Sequence, residues 1–314
     1  MRNRSGKIAL ALATAAGLAC ASIFVEPGAA GPDYADQGEY AGPELGAQVI
    51  ALGDGEFEAV LLAGGLPGAG WDGSSRTRAM GRRSGSEIVF SGRWWATLQG
   101  GELRGTSPEG ESFVLTQVMR ESPTLGAPAP PGATVLFDGS GPGDFDGKLD
   151  GEGNLAAGAT SRSRAGSFEL HLEFRTPFMP SYRGQRRGNS GVFLQNRYEI
   201  QVLDSFGLTG EDDECGALYG QKAPDVNMAF PPLRWQTYDV VFEAARFDAA
   251  GKRTQRARVS LRHNGVPVHD RVALSGPMDD GDPEGPEPGP LHLQSLWIPV
   301  AYRNVWIKPI EASR

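Results

Sequence analysis

The sequence is poor in cysteine and has no long basic run. Its 314 residues include two cysteines, Cys20 and Cys215. If Cys20 is lost with a leader, no disulfide can form within the chain, and stability must come from burial. Cys215 follows four acidic residues, which should raise its thiol pKa and disfavour a nucleophilic role. The formal net charge of −8, with no basic cluster, makes nucleic acid an unexpected partner.

Sustained helical periodicity is also missing. The chain has 44 glycines and 23 prolines, and its apolar runs are short and separated by turns. Alternation with a period of two is present instead: Phe168, Leu170, Leu172 and Phe174 share one face of a nine-residue segment. Antiparallel strands without crossover helices predict an all-β protein, with a sandwich or jelly roll in its second half.

The first residues have the pattern of a secretory signal. Arg2, Arg4 and Lys7 precede a short apolar run over residues 8–19, and small residues around Ala30 offer a cleavage site. Residues 1–30 are therefore predicted to be a signal peptide, and the protein is expected to be exported to the periplasm, the cell envelope or the medium. Cys20 gives an alternative, a lipoprotein signal, and a lipid anchor of that kind is the one membrane contact we expect.

Composition divides the rest of the chain into two units. Residues 31–121 begin with an extended lead-in over residues 31–44 and contain short strands, which predict a small β domain. Residues 122–132 are rich in proline and are predicted to be a linker. Residues 133–311 form the second domain. Within it, residues 276–290 are acidic and rich in proline and glycine, and are expected to be a mobile loop.

Motifs in the second domain occur in a recognisable order. They are VLFDGS from Val135, FELHLEFR from Phe168, GNSGVFLQNRYEIQVLDS from Gly188, ECGALYG from Glu214, WQTYDVVF from Trp235, PLHLQ from Pro290 and YRNVWIK from Tyr302. This series resembles the 3-keto-disaccharide hydrolase family. The resemblance implies a concanavalin A-like jelly-roll β-sandwich and action on glycosides whose sugar is oxidised at C3.

Such a substrate would allow an elimination. The ketone acidifies the C2 proton, loss of that proton gives an enolate, and the enolate can expel the aglycone from C1 before water adds. The protein would need a general base, a group that stabilises the enolate, and an acid. Strand parity turns Glu199 and Gln201 away from the core, so Glu199 is the predicted base, with Arg197 as anion stabiliser and His292 as an acid or base. The alternative is a solvated or ion-paired sheet face.

Further side chains are candidates for holding the sugar. Asn189, Asp204 and Tyr219 have structural alternatives, as turn or core residues. The full predicted set of substrate-binding residues is Asn189, Gln201, Asp204, Tyr219, Trp297 and Arg303.

No metal ligand is predicted, and no cofactor is expected with certainty. A divalent metal such as calcium is the alternative, at the acidic loop. Glu169, His171 and Glu173 alternate on one strand face and could ligate a metal, but a charged, solvated surface is the favoured interpretation. His263 and His269 flank a hairpin turn and are expected to be peripheral.

The closing motif departs from the family pattern. Members commonly have His-Gly shortly after Leu-Gln, whereas here Leu296-Trp297 occupies that place. Two hypotheses remain: an enzyme that cleaves 3-keto-glycosides, which is favoured, and a non-catalytic carbohydrate-binding sandwich of the cell envelope. In both the expected partner is an oligosaccharide or glycoside. The sequence indicates no oligomeric state.

Overall fold

A computed structural model of the protein describes residues 22–311, and within them the fold is almost entirely β. The described helices are short: α1 (Gly31–Asp36) and the 3-10 helices Pro27–Ala29 and Gly184–Arg186. None in this range has the length and apolar character needed to cross a membrane. The all-β prediction is confirmed.

The first unit is a closed antiparallel barrel. Its strands are β1 (Gly38–Ala41), β2 (Leu45–Gly53), β3 (Glu56–Ala63), β4 (Arg76–Ser84), β5 (Glu87–Gly92), β6 (Trp95–Gln99), β7 (Glu102–Thr106) and β8 (Ser112–Val118), and β8 closes on β1. Alternate side chains such as Val49, Phe57 and Phe90 fill the interior. Gly81 faces the Phe90 ring at a point where any Cβ would collide with it.

Residues 22–36 connect this barrel to the second unit. Phe24 exchanges backbone hydrogen bonds with Phe178, and their rings stack. Arg83 of β4 pairs with Asp33 and Asp36, so part of the expected lead-in is helical and held to the barrel. Most of the predicted signal segment, including Cys20, lies outside the described residues.

The second unit is a sandwich of two antiparallel sheets. Its strands are β9 (Thr134–Phe137), β10 (Phe145–Asp146), β11 (Leu155–Ala156), β12 (Ala159–Ala165), β13 (Phe168–Arg175), β14 (Ser190–Leu194), β15 (Tyr198–Val202), β16 (Gln236–Glu243), β17 (Arg246–Phe247), β18 (Arg253–Gln255), β19 (Arg258–His263), β20 (Val266–Ala273), β21 (Gly289–Leu293) and β22 (Ala301–Pro309). The five-stranded sheet has the order β10-β12-β21-β14-β15. The seven-stranded sheet has the order β11-β22-β13-β16-β19-β20, with β9 on β22, and β17 and β18 form a separate pair.

The core lies between these two sheets. Leu170, Leu172 and Phe174 of β13 face Ile200 and Val202 from the opposite sheet, as strand parity predicts. Each such side chain, fully removed from water, contributes roughly 1.5–3 kcal/mol of transfer free energy. The predicted jelly-roll sandwich is confirmed.

Part of the outer face of the seven-stranded sheet is not the solvated surface that we expected. His171 and Glu173 are buried, since Trp306 stacks on the His171 ring and the linker residue Gly126 lies against Glu173. Thr124 donates a hydrogen bond to Asp239, and the Gly126 backbone N–H donates one to Glu173. The linker is therefore part of the packed structure.

The two histidines at the hairpin are also buried, contrary to the expectation that they are peripheral. His263 Nε2 lies 3.0 Å from the amide oxygen of Gln236, and His269 Nε2 lies 2.8 Å from the carbonyl oxygen of Gly216. Burial lowers the pKa of His263 to about 3 and that of His269 to about 4. The hairpin folds inward, and both rings serve as neutral packing groups.

Candidate functional site

The outward face of the five-stranded sheet carries aligned polar side chains. Glu199 lies opposite Phe193 in the antiparallel register, Phe193 opposite His292, and His292 opposite Thr160. Since neighbouring strands are about 4.8 Å apart, the backbones at Glu199 and His292 are roughly 10 Å apart. A carboxylate and an imidazole therefore flank a central aromatic ring.

A second row of residues lies on the same face, two residues further along each strand. Gln201 pairs with Gly191, and the Gln294 backbone N–H donates to the Gly191 carbonyl oxygen at 2.8 Å. Gly191 leaves a gap in the middle of this row, and the Glu199 side chain leans into it. A Cβ at position 191 would collide with Glu199 Oε1. The glycine thus makes room for the carboxylate over the sheet.

Glu199 has an unusual environment for a carboxylate. It is 5% exposed, and no residue within 22–311 donates a hydrogen bond that stabilises its charged form. Burial, with a smaller contribution from the negative charge of Asp280, raises its pKa from 4.5 to about 8. Near neutral pH this group can both hold and release a proton.

Asp280 is brought to Glu199 by the acidic loop, residues 276–288. The loop is anchored: the backbone N–H groups of Met278 and Asp282 donate to the carbonyls of Arg197 and Asn196, each at 2.7 Å. The loop expected to be mobile is thus held against the β14–β15 hairpin.

Arg197 contributes to this anchoring with its side chain. Its guanidinium donates to the carbonyl oxygens of Gly285 and Glu287, at 3.3 and 3.1 Å. The described structure records no ion pair between Arg197 and Glu199. Arg197 therefore lies at the edge of the site, where it holds the loop.

His292 is oriented by its neighbours. Its Nδ1 lies 2.8 Å from the Thr160 hydroxyl oxygen, and its ring meets the edge of Phe193 at a centroid distance of 5.7 Å. Burial lowers its pKa, while Asp280 and Asp282 oppose that shift. With Nδ1 engaged by Thr160, Nε2 is left to hydrogen-bond a ligand.

Three other predicted residues join this face. The Tyr219 backbone N–H donates to the Glu199 carbonyl, and burial together with the Glu199 charge raises the pKa of its half-exposed phenol. The side-chain oxygen of Gln185 accepts hydrogen bonds from the amides of Asn189 and Gln201, at 2.8 and 2.9 Å. Asn189 Oδ1 and Gln294 Oε1 are buried and have no hydrogen-bond partner among residues 22–311.

Two predicted residues do not join it. Asp204 forms a 2.7 Å buried ion pair with Arg187, at the side of the sandwich that faces the barrel. Arg303 lies on β22 of the other sheet and pairs with Glu173 at 2.6 Å, so it cannot contribute to the Glu199 face. Arg303 was predicted to bind substrate because it belongs to the closing motif, but that motif lies on β22 in the seven-stranded sheet.

Trp297 lies on the loop after β21 and is 63% exposed. Its ring packs on Tyr182 at a centroid distance of 5.9 Å, and its backbone has a φ of +61°.

The sequence reasoning missed Asp280, Gln294, Gly191 and Tyr182. A glycine within a strand pattern was a usable signal for close approach at position 191. Asp280 had no local signal, because it reaches Glu199 through loop docking. No group of three or more His, Cys, Asp or Glu side chains in the described part of the chain is arranged to hold a metal ion.

The chain is similar to one protein family and to two solved structures. A solved structure from Parabacteroides distasonis ATCC 8503, provisionally named a glycosyl hydrolase, is 28% identical, with a TM-score of 0.53, over 58% of this chain and 85% of its own. A second protein of that organism with the same provisional name is 17% identical over 57% of this chain and 95% of its own, with a TM-score of 0.42. A search of curated proteins finds no match. The model of the 3-keto-alpha-glucoside-1,2-lyase-like domain matches residues 132–308, more than half of the chain, and the chain therefore belongs to that family.

Proposed function

We propose that the Glu199 face cleaves 3-keto-glycosides by elimination and hydration. The coarser statement, that this is a carbohydrate-active domain of the hydrolase or lyase type, is supported by its family and by a relative provisionally named a glycosyl hydrolase. The observation that carries the finer proposal is the buried Glu199 carboxylate, which has no hydrogen-bonding partner among the described residues and a pKa near neutrality.

The proposed reaction uses Glu199 as the base. Its carboxylate takes the C2 proton, the electron pair forms the C1–C2 double bond through the enolate, and the C1–O bond to the aglycone breaks. A base whose pKa lies near the working pH is deprotonated in a useful fraction of molecules and is also basic enough to accept the C2 proton. Water then adds its hydroxyl to C1 and a proton to C2, so the net change is hydrolysis of the glycoside.

His292 and Tyr219 are the proposed partners of Glu199. The Nε2–H of His292 can donate a hydrogen bond to the leaving oxygen from the opposite side of Phe193, and the proton that Glu199 took from C2 then passes to that oxygen. The phenol of Tyr219 can donate a hydrogen bond to the developing enolate oxygen. The sequence predicted that Arg197 stabilises an anion. Its guanidinium instead binds the acidic loop and holds it at the site.

The decisive experiment uses Glu199→Gln with a 3-keto-disaccharide such as 3-keto-trehalose, and follows the released sugar. Removal of a general base should lower kcat about 10²–10⁴-fold. Glu169→Gln, on the other sheet, is the matched control and should leave kcat unchanged, since its side chain is exposed. Full turnover by Glu199→Gln, or no turnover by the wild type, would refute the proposed mechanism.

The non-catalytic alternative is kept because of Trp297, which stands where the family commonly has His-Gly and is exposed. Binding of unoxidised oligosaccharides by calorimetry, without turnover of any 3-keto-glycoside, would favour a binding domain. Export remains part of the proposal on the pattern of residues 1–19 alone.

A further inference from the structure

The barrel holds the segment that follows the Glu199 strand. We call this segment, residues 203–208, the β15 exit. Phe206 within it is 1% exposed. Its side chain packs into a hydrophobic cluster whose other buried members all belong to the barrel unit: Ile50, Val60, Leu62 and Leu66. The end of β15 is thus anchored in the other unit of the molecule.

The barrel also holds the backbone of the β15 exit. Arg76 of β4 donates two hydrogen bonds through Nη2, to the carbonyl oxygens of Gly207 and Leu208 at 2.7 and 2.9 Å. The Arg76 guanidinium carbon lies 5.4 Å from the centroid of the Trp71 ring, which supports it from the barrel side. Gly207 has a φ of +76°, and a Cβ there would collide with the Ile50 side chain. A glycine at this position therefore lets the two units approach closely.

An ion pair carries this anchoring to the next segment of the sandwich. Asp204, in the β15 exit, forms the buried 2.7 Å pair with Arg187, and its backbone N–H donates to the Arg187 carbonyl oxygen at 3.1 Å. Arg187 lies two residues before Asn189 and directly precedes the turn into β14. The start of the strand beside β15 is therefore tied to the exit.

A second connection reaches the face that carries Glu199. The Asp213 carbonyl oxygen, beyond the exit, accepts hydrogen bonds from the side-chain amides of Gln185 and Gln201 at 2.7 and 3.2 Å. The side-chain oxygen of Gln185 in turn accepts from Asn189 and Gln201. We call Gln185, Asn189 and Gln201 the amide cluster. These side chains bond to one another and to the chain that leaves the exit, so their positions depend on that chain.

We propose that Arg76 and Phe206 are positioning residues: by holding the β15 exit against the barrel, they fix the amide cluster beside Glu199. This inference rests on the proposed function for the ligand that the cluster would meet. It gives the barrel a role in binding that ligand. The hydrogen bonds end at the amide cluster and do not include the Glu199 carboxylate, so the chemical step should not depend on them.

The kinetic test compares Arg76→Ala with Arg82→Ala. Both arginines lie on β4, but Arg82 pairs with Glu56 and its side chain is 74% exposed. In Arg76→Ala we expect KM for a 3-keto-disaccharide to rise about 3- to 30-fold, with kcat and its pH dependence unchanged. Arg76→Lys can still donate to the exit and should recover part of the KM, and Arg82→Ala should behave as the wild type. A fall in kcat, or an unchanged KM, would overturn the proposal.

Hydrogen exchange without substrate tests the positioning separately from the reaction. Backbone amides of residues 183–190 and 203–214 should exchange faster in Arg76→Ala and in Phe206→Leu than in the wild type or in Arg82→Ala. Exchange in β5, β6 and β7 should not change. This result without turnover by the wild type would support the positioning role while the proposed reaction fails. Faster exchange confined to the β15 exit, a uniform rise through the barrel, or no change would show that the barrel does not position the amide cluster.

Discussion

The outward faces of the two sheets carry the same residue types in different surroundings. Glu199 and His292 lie on the five-stranded sheet, and Glu173 and His171 on the seven-stranded one. Glu173 accepts hydrogen bonds from Gly126, Asn304 and Arg303 at 2.6, 2.9 and 2.6 Å. Glu199 accepts none from the described residues.

The proton affinities of the two carboxyls differ accordingly. Burial alone would raise the pKa of Glu173, but hydrogen bonds from His171, Asn304, Arg303 and Gly126 together lower it to about 2. Burial without such partners raises the pKa of Glu199 to about 8. A buried carboxylate with a complete set of donors stabilises the fold, whereas one without them keeps its capacity for a ligand or a proton.

The strongest test of this contrast removes the space that Glu199 uses. Gly191→Ala places a Cβ against Glu199 Oε1 and must displace the carboxylate. A shift of about 1 Å can cost roughly a hundredfold in rate, so we expect kcat to fall by about that factor or more. Gly92→Ala, whose Cβ would meet ordinary contacts, is the control. A folded Gly191→Ala protein with full activity would contradict the contrast.

Glu173→Gln should act on stability. Uncharged glutamine leaves Arg303 without its carboxylate, while His171 keeps Asp239 at 2.6 Å, and breaking a buried pair costs about 3–5 kcal/mol. We expect about 3 kcal/mol, measured by urea unfolding, because the Arg303 side chain is 38% exposed and water screens part of the loss.

The dependence of unfolding free energy on pH should have opposite signs at the two sites. The folded pKa of Glu173 lies below its ordinary value, so its contribution is present above pH 4.5 and is lost as pH falls towards 2. The folded pKa of Glu199 lies above its ordinary value, so its burial costs stability as pH rises from 4.5 to about 8. Glu173→Gln should flatten the dependence of unfolding free energy on pH below pH 4.5. Glu199→Gln should flatten that dependence between pH 4.5 and about 8. Unchanged slopes in both variants would contradict the assignment.

The sequence could predict the local half of this arrangement. Alternation with period two placed Ile200 in the core and Glu199 on the outer face, since that relation is a property of one strand. The same rule placed His171 and Glu173 on an outer face and was correct about parity. It was wrong about solvent, because Gly126, 47 residues before Glu173 in the chain, donates to that carboxylate and Trp306 stacks on the His171 ring.

The remaining part depended on contacts distant in sequence. Arg197 was predicted to stabilise an anion because it shares the parity of Glu199, yet its guanidinium binds carbonyls about 90 residues away. Asp280 lies in a segment whose composition indicated a mobile loop. Backbone hydrogen bonds to Asn196 and Arg197 hold that segment, and no composition rule could reveal them.

The smallest expected effect concerns Asp280, which sharpens the contrast between the two carboxyls. The charged and titratable groups that act electrostatically with Glu199 are Asp280 from the loop, Tyr219 from the segment after β15 and Tyr302 from β22, while His292 lies across the sheet. Asp280→Asn removes a negative charge, so the pKa of Glu199 should fall and the acidic limb of kcat/KM should move to lower pH. Asp279→Asn, an exposed neighbour in the same loop, is the control and should leave the limb in place.

Because Asp280 is exposed, added salt should screen its charge and move the acidic limb of the wild type to lower pH. The same salt should leave the limb of Asp280→Asn almost unaffected. A limb that does not move in Asp280→Asn, or that responds equally to salt in both proteins, would show that burial alone sets the proton affinity of Glu199.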